Sequence, residues 1–440
     1  MRSFWTILLL CVFFIQVHAK NRSMTLDEAL QLALQNNLSI QKLQARITTA
    51  QHAVDEAKAS KYASVDLKAS YSRFSEVMQM DIEAISIPNT FINIPGRSIR
   101  FGDENNYEAS ISVMQPLFTG HRISSMLDAN RQRVRAHQMQ LAASKHQLKF
   151  NATKAFYNLI KTHELKKIAE TSYQQVQAHL RDIQNFYEQG LVARNDVLTG
   201  EVKLSEAELL ITNAENGIEL ANIALLNLLH LELAQTIIPE YDLEKFTATT
   251  LDITKESQLS DKAELKMLDF QLASLHFKRK AAAGAYWPNV ALFGNYIYGK
   301  PGLDKIANQW MGYWIAGVQL QCNLWDWGKT SAQVQQLQSA INELKLGRTE
   351  LASNLELDIK RTLINLKGSR KRLQNSMKTL ESAQENYRIL ENRYREGVIS
   401  NAEYLDAQAD LTRARINKIQ TQIELQIALA DYERACAEVK

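Results

Sequence analysis

The side chains able to do acid–base, nucleophilic or metal chemistry are scattered in this chain rather than clustered. Nine histidines are spread over 440 residues. His163-Glu164 begins like a zinc-peptidase helix, but no histidine follows at the spacing that puts two ligands on one helix face. There is no Gly-rich phosphate loop and no Gly-x-Ser-x-Gly elbow. Of three cysteines, Cys11 lies in an apolar N-terminal run, Cys322 in a strand-like segment and Cys436 in the last helical stretch. That spacing makes no disulfide framework, and no His-rich or Cys-rich tract suggests a metal. The expectation is a protein with no enzymatic activity, no cofactor and no metal. The most suggestive acids stand beside two glycines. Asp196 follows Gly190, and Glu403 and Asp406 follow Gly397. In the first turn of a helix such carboxylates complement the positive end of the dipole.

The elements that carry these residues follow from composition. Only 16 Gly and 6 Pro occur, and helix-forming Ala, Leu, Gln, Glu, Lys and Arg dominate. A net charge of +3 with alternating signs gives no nucleic-acid surface. Residues 1–19 read as a signal peptide, with Arg2, an apolar Phe4–Ile15 and a Val17-His18-Ala19 cleavage site. Cys11 lacks the small residues before it that a lipidation site needs. The apolar run is shorter than the ~20 residues of a spanning helix, and no later stretch is long and apolar enough. Any crossing of a membrane would therefore use strands.

The chain repeats itself. Phe186-Tyr187-Glu188-Gln189-Gly190-Leu191-Val192 aligns with Arg393-Tyr394-Arg395-Glu396-Gly397-Val398-Ile399. Asp196 then falls on Glu403, Leu198 on Leu405, and Leu117-Phe118 on Leu324-Trp325. Gly120 is matched to Gly328 through a one-residue insertion. Lys61–Leu67 matches Tyr286–Leu292. Each half reads helix, strand, loop, strand, long helix, Gly turn, helix. The expected divisions are a first repeat over 20–234, a connector over 235–258 and a second repeat over 259–440.

No proline occurs from Leu117 to Ile238 or from Gly302 onwards, so very long helices are expected. Val197, Leu204, Ile211, Ile218 and Leu225 recur every seven residues. Ala207, Ala214, Ala221 and Leu228 form a second seam, and Ala407, Ala414, Thr421, Ala428 and Ala435 a third. A sustained heptad means side-by-side helix packing. Small residues at the seam allow the helices to approach closely.

The strands alternate. Val65, Leu67, Ala69 and Tyr71 are separated by polar residues, as are Tyr107, Ala109, Ile111 and Val113. The later strands, near Val290–Tyr298 and Gly312–Leu324, alternate less cleanly, with Phe293 and Ile297 on the face expected to be polar. Aromatic residues flank or interrupt the strands: Tyr62, Tyr71, Trp287, Tyr296, Tyr298, Trp310, Tyr313, Trp314, Trp325 and Trp327. Two readings fit: one face packed in a soluble sandwich, or an outer-membrane barrel with an aromatic girdle. Four strands cannot close a pore, since bacterial barrels start at about eight, so a barrel would need several chains. Ser75–Asn106, with two prolines, reads as an irregular loop carrying apolar Met78, Met80, Ile92 and Ile94.

With its order of elements, the chain resembles the TolC-like outer-membrane efflux proteins. The Met24–Leu30 segment, Gln115-Pro116-Leu117-Phe118-Thr119-Gly120 and the Tyr394–Ser400 turn carry the likeness. The resemblance implies a mainly α fold with a membrane β-barrel portion. It implies a homotrimer whose twelve-stranded barrel, four strands per protomer, sits in outer-membrane lipid. A long α-helical coiled-coil tunnel would continue it through the periplasm. The implied partners are a periplasmic adaptor and an inner-membrane pump, proton-driven or ATP-driven. Adaptor docking would fall on the hairpin tips, Gly190, Leu191, Val192, Gly397, Val398 and Ile399. The plain alternative is a helix hairpin with no docking role.

The family's periplasmic gate, mapped by position, falls on Tyr394, Asp196, Glu403 and Asp406. Its arginine has no match, because Ile399 occupies that place; Arg194 is the nearby substitute. Carboxylates gathered on a three-fold axis would repel one another and attract cations. The same acids also suit simple helix N-termini. A soluble periplasmic coiled-coil scaffold would explain the heptads but not the duplicated strands.

Overall fold

The computed structural model describes residues 21–86, 88, 91–243 and 259–438. The signal peptide, Ile87 and Asn89 of the loop, and residues 244–258 of the expected connector lie outside them. The described chain forms two compact units. One is built from the described parts of 1–45, 139–265 and 350–440, the other from 46–138 and 266–349.

The elements in chain order are β1 (Asn21–Met24), α1 (Leu26–Asn36), α2 (Leu38–Ala59), β2 (Ser64–Arg73), β3 (Gln79–Ile82), β4 (Ile85–Ser86), β5 (Asn93–Ile94), β6 (Arg97–Arg100) and β7 (Asn105–Phe118). There follow α3 (Arg122–Glu188), α4 (Arg194–Leu229), β8 (Thr236–Pro239), α5 (Ala263–Ala283), β9 (Asn289–Lys300), β10 (Met311–Gln321), α6 (Lys329–Arg395) and α7 (Asn401–Cys436). Helices α3 and α6 each have 67 residues, and α4 and α7 each have 36. At about 1.5 Å per residue the longer pair reach roughly 100 Å each.

Arg122 and Lys329 open the long helices, and Arg194 and Asn401 the shorter ones; both pairs stand 207 positions apart. That spacing corrects the one-residue insertion inferred at Gly120. Gly120 and His121 both have positive φ, 58° and 63°, and so do Trp327 and Gly328, 56° and 81°. Each long helix is thus entered through two successive left-handed residues, and glycine sits first in one turn and second in the other. The reason at Gly120 is space. A Cβ there would lie 2.3 Å from the Gly284 carbonyl oxygen, whereas Gly328 is open.

In the helical unit, Phe156, Leu159 and Ile160 of α3 bury against Leu225, Leu226 and Leu229 of α4, Met24, and Ala29 and Ala33 of α1. A Thr25–Glu28 capping box starts α1. Strands β1 and β8 pair in parallel, and Asn222 of α4 bonds the backbone of Gln235 and Ile237 at 2.8 and 2.9 Å. In the small seams Ala207, Ala214, Ala407, Ala414 and Ala435 are buried, and Ala221, Leu228, Thr421 and Ala428 are half-buried. Buried Lys262 donates to the carbonyls of Ala435 and Ala437, closing the last turn of α7.

In the strand unit, an antiparallel sheet runs in the order β10-β9-β7-β2. Its register aligns Leu67, Ile111, Tyr296 and Trp314 across all four strands, and all four are exposed. The opposite face carries Asp66, Ser112 and Asn295 in one row, which ends in exposed Ile315 on β10. Phe293 and Ile297 belong to that opposite face. Phe293 fits because it pairs with Gly317, over which its ring lies 3.1 Å from where a Cβ would be. Tyr313 pairs with Ile297 and so leaves the aromatic face assigned to it. The loop expected to be irregular holds two antiparallel ladders, β3–β6 and β4–β5. Ladders of four and two residues are too short to show alternation in a sequence.

Candidate functional site at the two hairpin turns

Helices α3 and α6 end in the same way. Gly190 has φ 73° and Gly397 φ 70°. The amide of Gly190 bonds Tyr187 O at 2.9 Å and that of Leu191 bonds Phe186 O at 2.8 Å. Gly397 bonds Tyr394 O at 2.9 Å, and Val398 bonds Arg393 O at 2.9 Å. This is a Schellman closure in both hairpins, and the left-handed residue it demands is why glycine stands there. Leu191 and Val398, each 67% exposed, are presented at the tips. Val192 and Ile399 are half-buried beside them.

The acids after the turns act first as caps. Glu403 Oε2 accepts from the Ser400 amide at 2.9 Å and its hydroxyl at 3.0 Å. These bonds hold the Glu403 carboxyl below its ordinary value. Asp196 Oδ2 accepts from the Ala193 amide at 3.2 Å. Ala193 has no side-chain acceptor to return the bond. Asp406 is exposed on the next turn, and Arg194, at the start of α4, has no ion-pair partner among the described residues.

Tyr394 does not pair with an acid or with Arg194. Its ring stacks on Tyr404 at 5.1 Å and meets His179 edge-on at 5.0 Å. Its hydroxyl is pushed above the ordinary range by burial and by Asp196 and Asp182 nearby. His179, Asn401, Tyr404 and Tyr387 complete the cluster and were not singled out from the sequence. His179 Nε2 lies 2.8 Å from Asn401 Oδ1, and Tyr387 and Tyr404 share a hydroxyl bond of 2.9 Å. Asn401 Nδ2 donates to the Asp196 carbonyl at 3.3 Å. One amide side chain thus links α3, α4 and α7. Burial lowers the pKa of His179, since a cation there would lose its water. An available signal was the seven-residue step from Tyr387 to Tyr394, which puts both phenols on one stripe of α6. The cluster opens on a cleft of 390 Å³ edged by Asp182, Glu391 and Arg395.

In the strand unit, Tyr62, Trp287 and Trp325 are exposed and flank the strand ends nearest the helices. Tyr71 sits at the opposite end in a chain of rings, Tyr71–Tyr107–Trp310–Tyr298, spaced 5.0, 5.7 and 5.3 Å. Tyr296 and Trp314 pair within the sheet rather than at its ends. Among the described residues no helix is long and apolar enough to cross a membrane, and no group of His, Cys, Asp and Glu could hold a metal.

A four-stranded sheet with an exposed apolar row, together with long helical hairpins, defines the class as mainly helical with a strand portion. The model of the outer membrane efflux protein family matches residues 29–229 and 256–437, so the chain belongs to that family. This agrees with the resemblance drawn from the sequence, and the family is one of the outer membrane. Two curated relatives from Pseudomonas putida, a probable efflux pump outer membrane protein TtgC and an antibiotic efflux pump outer membrane protein ArpC, are each 27% identical over 158 residues. The matched stretch is 34% of this chain and 32% of each relative. The fold is that of the CmeC outer membrane channel of Campylobacter jejuni, with a TM-score of 0.77 at 16% identity, covering 93% of this chain and 85% of that one. VceC of Vibrio cholerae gives 0.76 at 15% identity, covering 94% and 96%.

Proposed function

We propose that the chain is the outer-membrane channel of a tripartite efflux or type I secretion system, a passive trimeric conduit that catalyses nothing. The supporting observation is the row Leu67–Ile111–Tyr296–Trp314, exposed across a sheet whose edge strands β2 and β10 have no further partner among the described residues. Open backbone edges are not tolerated in lipid, so other copies must complete the sheet into a barrel. Three copies give twelve strands.

The matched helix lengths support two tandem repeats, over 20–234 and 259–440, joined by a connector over 235–258. The hairpin tips, from Gly190 to Val192 and from Gly397 to Ile399, are the docking surface for a periplasmic adaptor, which links the channel to an inner-membrane pump. The entrance closes near the same turns. Tyr394 acts there through packing, while Asp196, Glu403 and Asp406 form an acidic ring with Arg194 at its edge.

Planar-bilayer recording tests this reading. The wild type is expected to form cation-preferring pores, and changing Asp196, Glu403 and Asp406 together to Ala should shift that preference. Unchanged selectivity would remove the acidic ring from the account.

A further inference from the structure

We propose that a groove between α3, α4 and α7 is a binding site for a small neutral carboxamide, held edge-on by Gln408. The groove has a volume of 280 Å³ and is lined by Val176, Ala207, Leu210, Leu405 and Ala409, with Gln408 among them. Gln408 is 2% exposed, and neither its Nε2 nor its Oε1 has a hydrogen-bond partner among the described residues. Buried amides are nearly always bonded, and one left unmade is costly. The neighbouring hydroxyls do not relieve it. Thr412 is engaged with Ser172 at 3.2 Å and with the backbone carbonyl of Gln408 at 3.0 Å.

The chemistry of the ligand follows from what Gln408 offers. A planar amide presents one acceptor and two donor hydrogens. A carboxamide answers both edges, donating to Oε1 and accepting from Nε2. A carboxylate only accepts, which leaves Oε1 unsatisfied, and an ammonium only donates. Charge points the same way. The two cations at the rim are already neutralised, Lys203 by Glu206 and Arg413 by Asp410, each at 2.9 Å. A charged ligand therefore gains no partner, whereas a neutral one with an apolar body fits the walls. The rest of the polar lining is Ser172, Thr412, Lys203, Glu206 and Arg413, so Gln408 is the one polar side chain there left without a partner among the described residues. Access requires the long Lys203 and Arg413 side chains to swing outwards, and only weak surface ion pairs hold them. The inference concerns a single unit of the folded chain, so it stands or falls apart from the conduit reading.

Benzamide and benzoate, which share a ring and differ in the polar edge, are the probes. Binding to the full-length protein in detergent is followed by saturation-transfer NMR. Benzamide is expected to bind saturably, and benzoate about tenfold more weakly or worse. Gln408→Leu should lose at least about tenfold for benzamide alone. Leu210→Trp, which fills the groove and leaves Gln408 untouched, should abolish binding and supplies the test should the first variant fold poorly. Equal binding of the two probes, undiminished binding by either folded variant, or no benzamide binding to the wild type would overturn the proposal.

Discussion

His179 Nε2 and Asn401 Oδ1 lie 2.8 Å apart in a buried contact that ties α3 to the first residue of α7. Through its Nδ2, the same asparagine holds the Asp196 carbonyl of α4. Removing Asn401 leaves a buried imidazole nitrogen unpartnered, at a cost of about 1–3 kcal/mol. Asn401→Ala should therefore lower the unfolding midpoint, and His179→Phe with Asn401→Ala together should lose less than the two changes summed. Additive losses would mean the contact contributes nothing of its own.

The burial of His179 predicts a pH dependence. Burial depresses the folded-state pKa of His179, so the unfolded chain binds the proton more readily. Its stabilisation is complete above the ordinary histidine value of about 6.5 and is lost as pH falls through the lowered folded value. The groups facing it are Asn401, Tyr394, Tyr404 and Asp182. Thermal unfolding from pH 8 to pH 5 should flatten in His179→Gln. A profile as steep as that of the wild type would assign the dependence to other groups.

Chemically identical substitutions should act with opposite signs at different glycines. Gly190→Ala and Gly397→Ala place a Cβ on left-handed backbone and should each cost about 1–2 kcal/mol, although nothing lies within 4 Å to clash. Gly347 is interior to α6 with equally open surroundings. There alanine should stabilise by about 0.5–1 kcal/mol. Denaturant titration of the three variants checks the contrast.

The two hairpins also differ at their caps. Ser400 closes a full capping box with Glu403, while α4 has Ala193 in that place. Ser400→Ala should cost about 0.5–2 kcal/mol, and Ala193→Ser should recover a similar amount in the first hairpin. Hydrogen exchange of the first-turn amides reads both.

Much of this was legible beforehand, because local chemistry decided it. The two turns follow from glycine, the first-turn acids from the place of Asp196 and Glu403 just after them, and the apolar face of β2 and β7 from strict alternation. What escaped depends on contacts between distant segments. His179 looked like one scattered histidine until α7 brought Asn401 and Tyr404 to it, 222 positions away for the asparagine. The place of Phe293 needed the cross-strand Gly317, and the constant spacing at Gly120 needed backbone angles that residue types alone do not reveal.

The face of the sheet can be tested by charge. Leu67→Arg on the apolar row should weaken insertion by about 2–4 kcal/mol if that row meets the bilayer midplane. Asp66→Arg, one residue along on the opposite face, should leave insertion nearly unchanged. Refolding into lipid vesicles, followed by tryptophan fluorescence, separates the two. Equal losses would mean that neither face is specific for lipid.

The mass of the detergent-extracted protein, measured by sedimentation with the bound detergent subtracted, tests the account most directly. Closure of open strand edges by neighbouring copies predicts a particle of three chains that needs detergent to stay dispersed. A single chain, stable in plain buffer, would contradict it.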